Sequence, residues 1–139
     1  MSNKTNWIFK NLHLIVSLSI VVPTAIIYGS PKILPKFLNI EVRTIDIANM
    51  LKAIMLLYIG ISFVWVLGIF KTEYWKSATQ LNILFMLTLG CGRGLSMIVD
   101  GLPSGGYIFG ILAELIIGIF SLYQLRKYMN KENEKEIKQ

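Results

Sequence analysis

Residues 47–70 read IANMLKAIMLLYIGISFVWVLGIF, an apolar run whose only charged side chain is Lys52. A helix of about 20 residues crosses the hydrocarbon core of a bilayer, which is about 30 Å thick, so this run can cross a membrane once. Thr44 and Asp46 precede the run. These residue types are favoured as a helix N-cap and in a first turn. The stretch therefore predicts a transmembrane helix that begins after Thr44 and ends before Lys71.

Three further apolar runs flank this one, at about residues 12–28, 77–99 and 107–125. Together the four runs take up most of the 139-residue chain, in which 54% of the residues are hydrophobic and the mean hydropathy is +0.57. A soluble domain of this length buries too little surface to hide so many apolar side chains. We therefore predict an all-α fold, an integral membrane four-helix bundle that forms a single domain, followed by a charged tail over residues 126–139.

The connections between the runs predict the orientation of the chain. Pro31 and Pro35 interrupt helices in the 29–44 connection, and DGLPSGG at 100–106 is a turn. An even number of spans places the N-terminus, the 71–76 connection and the tail on one side of the membrane. That side carries nine basic residues, Lys4, Lys10, Lys71, Lys76, Arg126, Lys127, Lys131, Lys135 and Lys138, and the other side carries three, Lys32, Lys36 and Arg43. The positive-inside rule then predicts an inner-membrane protein whose N- and C-termini are both cytoplasmic.

Composition also excludes several classes of function. The net charge of +6 does not indicate nucleic-acid binding, because the basic residues lie at the ends of apolar runs. Cys91 is the only cysteine, which excludes an internal disulfide, and we expect it to be a small core residue. His13 is the only histidine, which excludes bis-histidine haem ligation, and we expect it to be packed or interfacial. We predict no cofactor and no metal site, and membrane lipids as the natural surroundings.

Ionisable residues inside the runs indicate a polar site in the outer half of the bilayer. Lys52, Arg93 and Glu114 each lie roughly 8–11 Å from the outer end of their span, counting about 1.5 Å per residue. A charge at the bilayer centre costs about 2.5–3.5 kcal/mol, so we expect these side chains to turn inward, with Glu114 pairing with Arg93 or Lys52. The predicted ligand-binding residues are Asn49, Lys52, Arg93, Ser96, Asp100 and Glu114.

Small and polar residues share faces with these charges. The fourth span has one stripe at helical spacing, formed by Tyr107, Gly110, Glu114, Gly118 and Ser121, and Gly90 and Gly94 lie beside Arg93 in the third span. Such small residues allow helices to approach closely, and a glycine face leaves homo-oligomerisation open. The polar stripe of the first span consists of His13, Ser17, Thr24 and Tyr28.

Three segments resemble a known family. They are NMLKAIMLLYIGISFVWVLGIF in the second span, LFMLTLGCGRGLSMIVDGLPS in the third, and LAELIIGIF in the fourth. They are similar to the bacterial membrane proteins known as domain of unknown function 4345, with a looser similarity to small DoxX-like four-helix proteins. The matching residues are Gly92, Arg93, Ser96, Asp100, Gly101, Pro103 and Glu114. Lys52 stands where the family pattern has an arginine. Lysine keeps the positive charge but cannot donate the two parallel hydrogen bonds of a guanidinium. The resemblance implies the fold and the site, and leaves the function open.

Three functions fit this sequence. The first is binding or transport of a lipid head group or a small anion in the charged pocket. The second is a structural or accessory membrane subunit, in which the ion pairs only fix helix packing. The third is a membrane enzyme with Glu114 as the acid or base, although the sequence has no nucleophile or metal motif to accompany it.

Overall fold

A computed structural model describes the backbone of residues 3–38 and 40–136, and the side chains of residues 6–38 and 40–130. This part of the chain forms five helices and no strand: α1 Asn3–Gly29, α2 Leu34–Phe37, α3 Ile45–Phe70, α4 Thr72–Val99 and α5 Gly105–Glu136. Four of them are long and apolar enough to cross a membrane, over Asn6–Gly29, Ile45–Phe70, Thr72–Val99 and Gly105–Asn130. The predicted all-α four-helix bundle is confirmed, and the four predicted spans lie within these helices. The last residues of the predicted tail, 137–139, lie outside the described residues.

The four long helices form a ring. Helix α1 packs against α3, α3 against α4 and α4 against α5, while α5 closes the ring against α1 with a looser contact. Consecutive long helices run in opposite directions, so the 30–44 and 100–104 connections lie at one end of the bundle, which we call the loop end. The opposite end carries both chain termini and the α3–α4 turn, and we call it the terminal end.

Local signals in the sequence account for where the helices begin and end. The Ile47 backbone N–H donates a hydrogen bond to Thr44 Oγ1 over 3.2 Å, which confirms Thr44 as the N-cap of α3. Pro35 lies in the first turn of α2, where the missing N–H costs no hydrogen bond. Gly101 follows α4 with a positive φ of 101°, a conformation that favours glycine and turns the chain towards α5.

Aromatic rings fill the space between α1, α3 and α4. Tyr28, Tyr58, Phe85 and Trp65 form a row of edge-to-face contacts, with ring centroids 5.9, 5.0 and 5.5 Å apart along the row. Trp65 is completely buried. Such pairs add to the stabilisation that comes from burial alone. The row fixes the rotation of α3 relative to its two neighbours.

Glycines bring α4 and α5 close together, as the small-residue pattern predicts. A Cβ atom on Gly90 would come 2.8 Å from Leu115 Cδ2, and one on Gly118 would come 2.6 Å from Leu87 Cδ2. One expectation for this helix is wrong, because Cys91 is exposed and does not belong to the core. It follows the buried Gly90 by about 100° around the helix and so points away from α5.

Candidate functional site

An ion pair joins α4 to α5 in the half of the bundle nearer the loop end. Arg93 Nη1 lies 2.7 Å from Glu114 Oε1, and the two side chains expose only 22% and 13% of their surface. Gly110 lies one turn before Glu114, and a Cβ atom there would come 3.0 Å from Arg93 Nη1, so glycine leaves room for the guanidinium. Of the two partners expected for Glu114, Arg93 is the one that it contacts.

Tyrosine side chains surround the guanidinium. Arg93 Nη2 donates a hydrogen bond to the Tyr28 hydroxyl oxygen over 3.1 Å, which ties α4 to α1. The Arg93 guanidinium carbon lies 5.5 Å from the centroid of the Tyr107 ring, within the range of a cation–π interaction. Tyr58 of α3 is buried beside Tyr28. The charged pair on α4 and α5 therefore contacts α1 directly, and Tyr58 adds a side chain from α3 to the wall of the same cavity.

This polar group forms one end of a cavity of about 280 Å³. Its remaining walls are mainly apolar side chains, contributed chiefly by α1 and α5. Ile20 of α1 and Phe109 of α5 line the cavity and are 39% and 73% exposed. Exposed lining residues therefore lie on the two helices that close the bundle with a loose contact, and a third, Gly106, lies at the loop end. The lining residues are Ile20, Val21, Thr24, Ile27, Tyr28, Leu38, Tyr58, Met86, Leu89, Arg93, Gly106, Tyr107, Phe109, Gly110, Ala113, Glu114 and Ile117.

Two of the predicted site residues, Asn49 and Lys52, do not reach this cavity. Both side chains are exposed and lie on a shallow groove along α3, beside Ala53 and Leu56. Lys52 precedes the cavity residue Tyr58 by six positions, which separates them by about 120° around the helix. The predicted common layer of Lys52, Arg93 and Glu114 is therefore not assembled. Lys52 has the predicted depth along the axis of α3, but the rotation of α3 about that axis places its side chain on the outer surface of the bundle.

Ser96 and Asp100 form a separate contact at the end of α4. Ser96 Oγ donates to Asp100 Oδ2 over 2.8 Å, and both residues are exposed. The Asp100 backbone N–H donates to the Ser96 carbonyl oxygen over 2.7 Å. The predicted set of six residues thus divides into the Arg93–Glu114 pair in the cavity, this helix-end pair, and the two residues on the α3 groove.

Sequence reasoning missed a buried polar group nearer the terminal end. We call Ser17, Asn82 and Ser121 the serine–asparagine network, because they link α1, α4 and α5. Asn82 Nδ2 donates to Ser17 Oγ over 2.7 Å, and Ser121 Oγ donates to Asn82 Oδ1 over 2.7 Å. All three are completely buried. Ser17 lies on the predicted polar stripe of the first span, and Asn82, the sixth residue of the run 77–99, was the signal that could have predicted its partner.

His13 makes a second buried link one turn closer to the terminal end. Its Nε2 atom lies 3.0 Å from Thr79 Oγ1. The Thr79 hydroxyl also donates a hydrogen bond to the Trp75 carbonyl oxygen over 2.8 Å. The imidazole also packs edge-on against the Trp75 ring. His13 is thus a packed residue that joins α1 to α4.

The described residues contain no group of three or more His, Cys, Asp or Glu side chains that could hold a metal ion. The groups that could act on a bound molecule are therefore those at the polar end of the cavity. They comprise one guanidinium, one carboxylate and three phenolic hydroxyls, from Tyr28, Tyr58 and Tyr107. None of the three tyrosines was among the predicted site residues.

The chain belongs to the family described as Domain of unknown function (DUF4345), whose family model matches residues 9–125. The match covers α3 and α4, most of α1 and α5, and every residue that lines the cavity. Comparison with curated proteins and comparison with solved structures each found no match.

Proposed function

We propose that this member of the DUF4345 family binds an amphiphilic, lipid-like molecule, which enters the cavity between α1 and α5 from within the bilayer. The observation that supports the proposal is the exposure of cavity-lining side chains on membrane-spanning helices. Ile20 and Phe109 line the cavity and are exposed on two helices that are long and apolar enough to cross a membrane. A ligand dissolved in the bilayer could therefore reach the cavity between α1 and α5.

The distribution of polarity inside the cavity supports the same conclusion. Arg93, Glu114 and the three tyrosines lie at one end, and side chains such as Val21, Met86 and Ile117 form the other walls. Ligand sites commonly combine apolar walls with a few polar groups that set orientation. The head of an amphiphile would lie at the polar end, and its chain would lie along the apolar walls and continue into the bilayer.

The volume supports partial enclosure of the ligand. At about 280 Å³ the cavity is slightly smaller than the usual range for ligand sites, roughly 300–1,000 Å³. A complete two-chain lipid would therefore not fit inside it. We propose that the cavity encloses the head and the first part of one chain, while the rest of the molecule stays between α1 and α5 in contact with lipid.

The basic residues of the sequence support an orientation for this site. They favour a cytoplasmic location for the terminal end, so the loop end and the cavity near it would lie in the outer half of the bilayer. On this proposal the ligand comes from the outer leaflet of the inner membrane.

Native mass spectrometry of the protein released from lipid nanodiscs would test the proposal. Ala113→Trp would fill the cavity without replacing any member of its polar end, because Ala113 lines the cavity wall. Ala53→Trp is the matched control, since Ala53 is exposed on the α3 groove outside the cavity. We expect a discrete lipid mass on the wild type and on Ala53→Trp, and its loss from Ala113→Trp. Thermal melting of both variants would show whether they remain folded.

The same experiment distinguishes binding from the accessory-subunit alternative. That alternative is favoured by one observation, namely that Arg93 already has protein partners in Glu114 and Tyr28. If the wild type carries no lipid mass, or if folded Ala113→Trp retains the same mass as the wild type, the binding proposal is wrong. A search for a protein partner would then be the appropriate next step.

A further inference from the structure

The head group that the cavity can accept is limited by the charges on its wall. Arg93 and Glu114 are the only charged side chains among its lining residues in the described part of the chain, and they are in direct contact. Their formal charges cancel. Lys52, which sequence analysis expected to add a second positive charge, lies on the outer groove of α3. The polar end of the cavity is therefore electrically neutral overall.

An anionic head group would be poorly accommodated beside this pair. To reach the guanidinium it would have to approach the Glu114 carboxylate, whose Oε1 atom already lies 2.7 Å from Arg93 Nη1. Like charges within a few ångströms repel strongly in a medium of low dielectric constant. Attraction to Arg93 would thus be offset by repulsion from Glu114, and the anion would also lose its own hydration.

The hydrogen-bonding groups left over at the polar end are mainly donors. A guanidinium has five N–H groups, and hydrogen bonds to Glu114 and Tyr28 take up two of those on Arg93. The Tyr28 oxygen accepts from Arg93, so its own proton remains to be donated. The Tyr58 and Tyr107 side chains line the same cavity. Arg93 and Tyr28 therefore both retain protons that can be donated to a ligand.

The acceptors of the polar end are mostly unavailable. Glu114 Oε1 accepts from Arg93, and Glu114 Oε2 is buried with no solvent-accessible surface and no hydrogen-bond partner among the described residues. The Thr24 hydroxyl, elsewhere on the wall, donates its proton to the Ile20 carbonyl oxygen over 2.8 Å, so its oxygen can still accept outside the polar end. At the polar end the remaining Arg93 N–H groups can only donate, so a complementary head group must present acceptor atoms to them.

We infer that the ligand is an uncharged lipid whose head carries carbonyl, ester or ether oxygens, and that Glu114 is the specificity-determining residue that excludes anionic lipids. This inference rests on the proposed function and adds the class of ligand to it. Arg93 supplies N–H donors to the ligand oxygens, and Glu114 neutralises the charge that would otherwise attract phosphate or carboxylate groups.

Two lipids with identical chains provide the test. Dioleoylglycerol has an uncharged head with two ester carbonyls, and dioleoyl phosphatidic acid has an anionic head on the same chains. Each would be added at equal fractions to nanodiscs of neutral phospholipid, and the mass retained on the protein would be measured by native mass spectrometry. We expect the wild type to retain dioleoylglycerol about tenfold more than phosphatidic acid, since removing one such repulsion corresponds to tenfold or more in affinity.

Variants at both members of the pair sharpen the test. Glu114→Gln should shift the preference towards phosphatidic acid by about tenfold or more, because it removes the negative charge and leaves Arg93 in place. Arg93→Lys keeps the pair neutral but offers three N–H groups instead of five, so it should lower retention of dioleoylglycerol without raising that of phosphatidic acid. Glu73→Gln, at an exposed acid in the first turn of α4 near the terminal end, is the matched control and should behave like the wild type.

The outcomes separate this inference from the proposed function. A wild type that prefers phosphatidic acid overturns the inference and leaves amphiphile binding intact. An unchanged preference in folded Glu114→Gln also overturns it. If neither lipid is retained by the wild type, and no other lipid mass is retained either, the proposed function and the inference fail together. Because the wild-type preference is measured first, the inference can be refuted even if Glu114→Gln does not fold.

Discussion

Replacing Arg93 by Gln would leave the Glu114 carboxylate largely buried without its opposite charge. At the observed N–O distance of 2.7 Å and an effective dielectric constant of about 20, the attraction between the two charges is about 6 kcal/mol. Most of this is offset by the loss of hydration of both groups, so the pair as a whole contributes little net stability. Removal of one partner loses the attraction and keeps the cost of burying the other. We therefore expect Arg93→Gln to lower the free energy of unfolding by about 3–5 kcal/mol.

The double variant Arg93→Gln/Glu114→Gln tests whether charge is the reason. Two amides can hydrogen-bond to each other at this position and carry no charge to bury, so the double variant should lie within about 1 kcal/mol of the wild type. Reversible unfolding in mixed detergent micelles, followed by tryptophan fluorescence, would give the three free energies. Glu41→Gln is the control, because the Glu41–Arg43 pair is mostly exposed and its loss should change stability little.

The reasoning would be refuted by either of two results. If Arg93→Gln is as stable as the wild type, the carboxylate is not effectively buried. If the double variant is as unstable as Arg93→Gln alone, the loss comes from the hydrogen bond to Tyr28 or from packing around the guanidinium, and not from an unpaired charge.

Three further predictions follow from individual contacts. Asn82→Ala should lower the free energy of unfolding by about 1–2 kcal/mol in the same assay, whereas Thr88→Ala, at an exposed position on the same helix, should change it by less than about 0.5 kcal/mol. Gly118→Val should destabilise the protein by about 1–3 kcal/mol, because its Cβ would lie 2.6 Å from a leucine methyl group of α4, whereas Gly92→Val has open space around it and should be tolerated. Thermal melting would compare the two variants, and equal losses of stability would contradict the packing argument. Lys52→Gln should leave lipid retention in native mass spectrometry unchanged, and a loss of retained lipid would show that the α3 groove takes part in binding.

Most of the fold was predictable because it depends on length and composition. A run such as residues 47–70 must be a helix in a bilayer, since no water is available there to satisfy backbone N–H and C=O groups. The cap at Thr44 was predictable because it depends on local chemistry that recurs at helix starts. The short helix α2 was not predicted, because Pro31 and Pro35 in the 29–44 connection were interpreted only as helix breakers.

The site was only partly predictable, because depth and rotation are different quantities. Counting residues from the end of each span places Lys52, Arg93 and Glu114 at similar depth, and this is independent of how each helix is rotated. Rotation is decided by the packing of large side chains, and on α3 the buried residues Tyr58 and Trp65 face the bundle. Because the face of α3 that carries these two residues is turned inward, Lys52 lies on the outside. There its long side chain can extend the amine towards the membrane surface. No single-residue signal in the sequence fixes that rotation.

The tyrosines of the cavity were left out of the predicted site for a related reason. Tyr28 lies on the predicted polar stripe of the first span and Tyr107 on the stripe of Glu114, but a stripe identifies a face of one helix and not the side chains that it meets. The hydroxyls of these two tyrosines became part of a site only because Arg93 lies between α1 and α5 at the same level. A charged residue inside a span thus gives a reason to consider every hydroxyl on neighbouring helices at its depth.

The two buried polar groups divide the bundle into parts with different properties. One helical turn separates each member of the serine–asparagine network from the residues that close the cavity on that side, Val21, Met86 and Ile117. This apolar layer interrupts any chain of hydrogen-bonding side chains between the two groups. The Ser17 hydroxyl donates to the His13 carbonyl oxygen, and such a bond ends a relay because a backbone carbonyl has no proton to pass on. The network therefore serves to hold three helices together near the terminal end. On the proposed function, a terminal end held in this way would let the looser α1–α5 contact beside the cavity separate for a lipid while the bundle stays together.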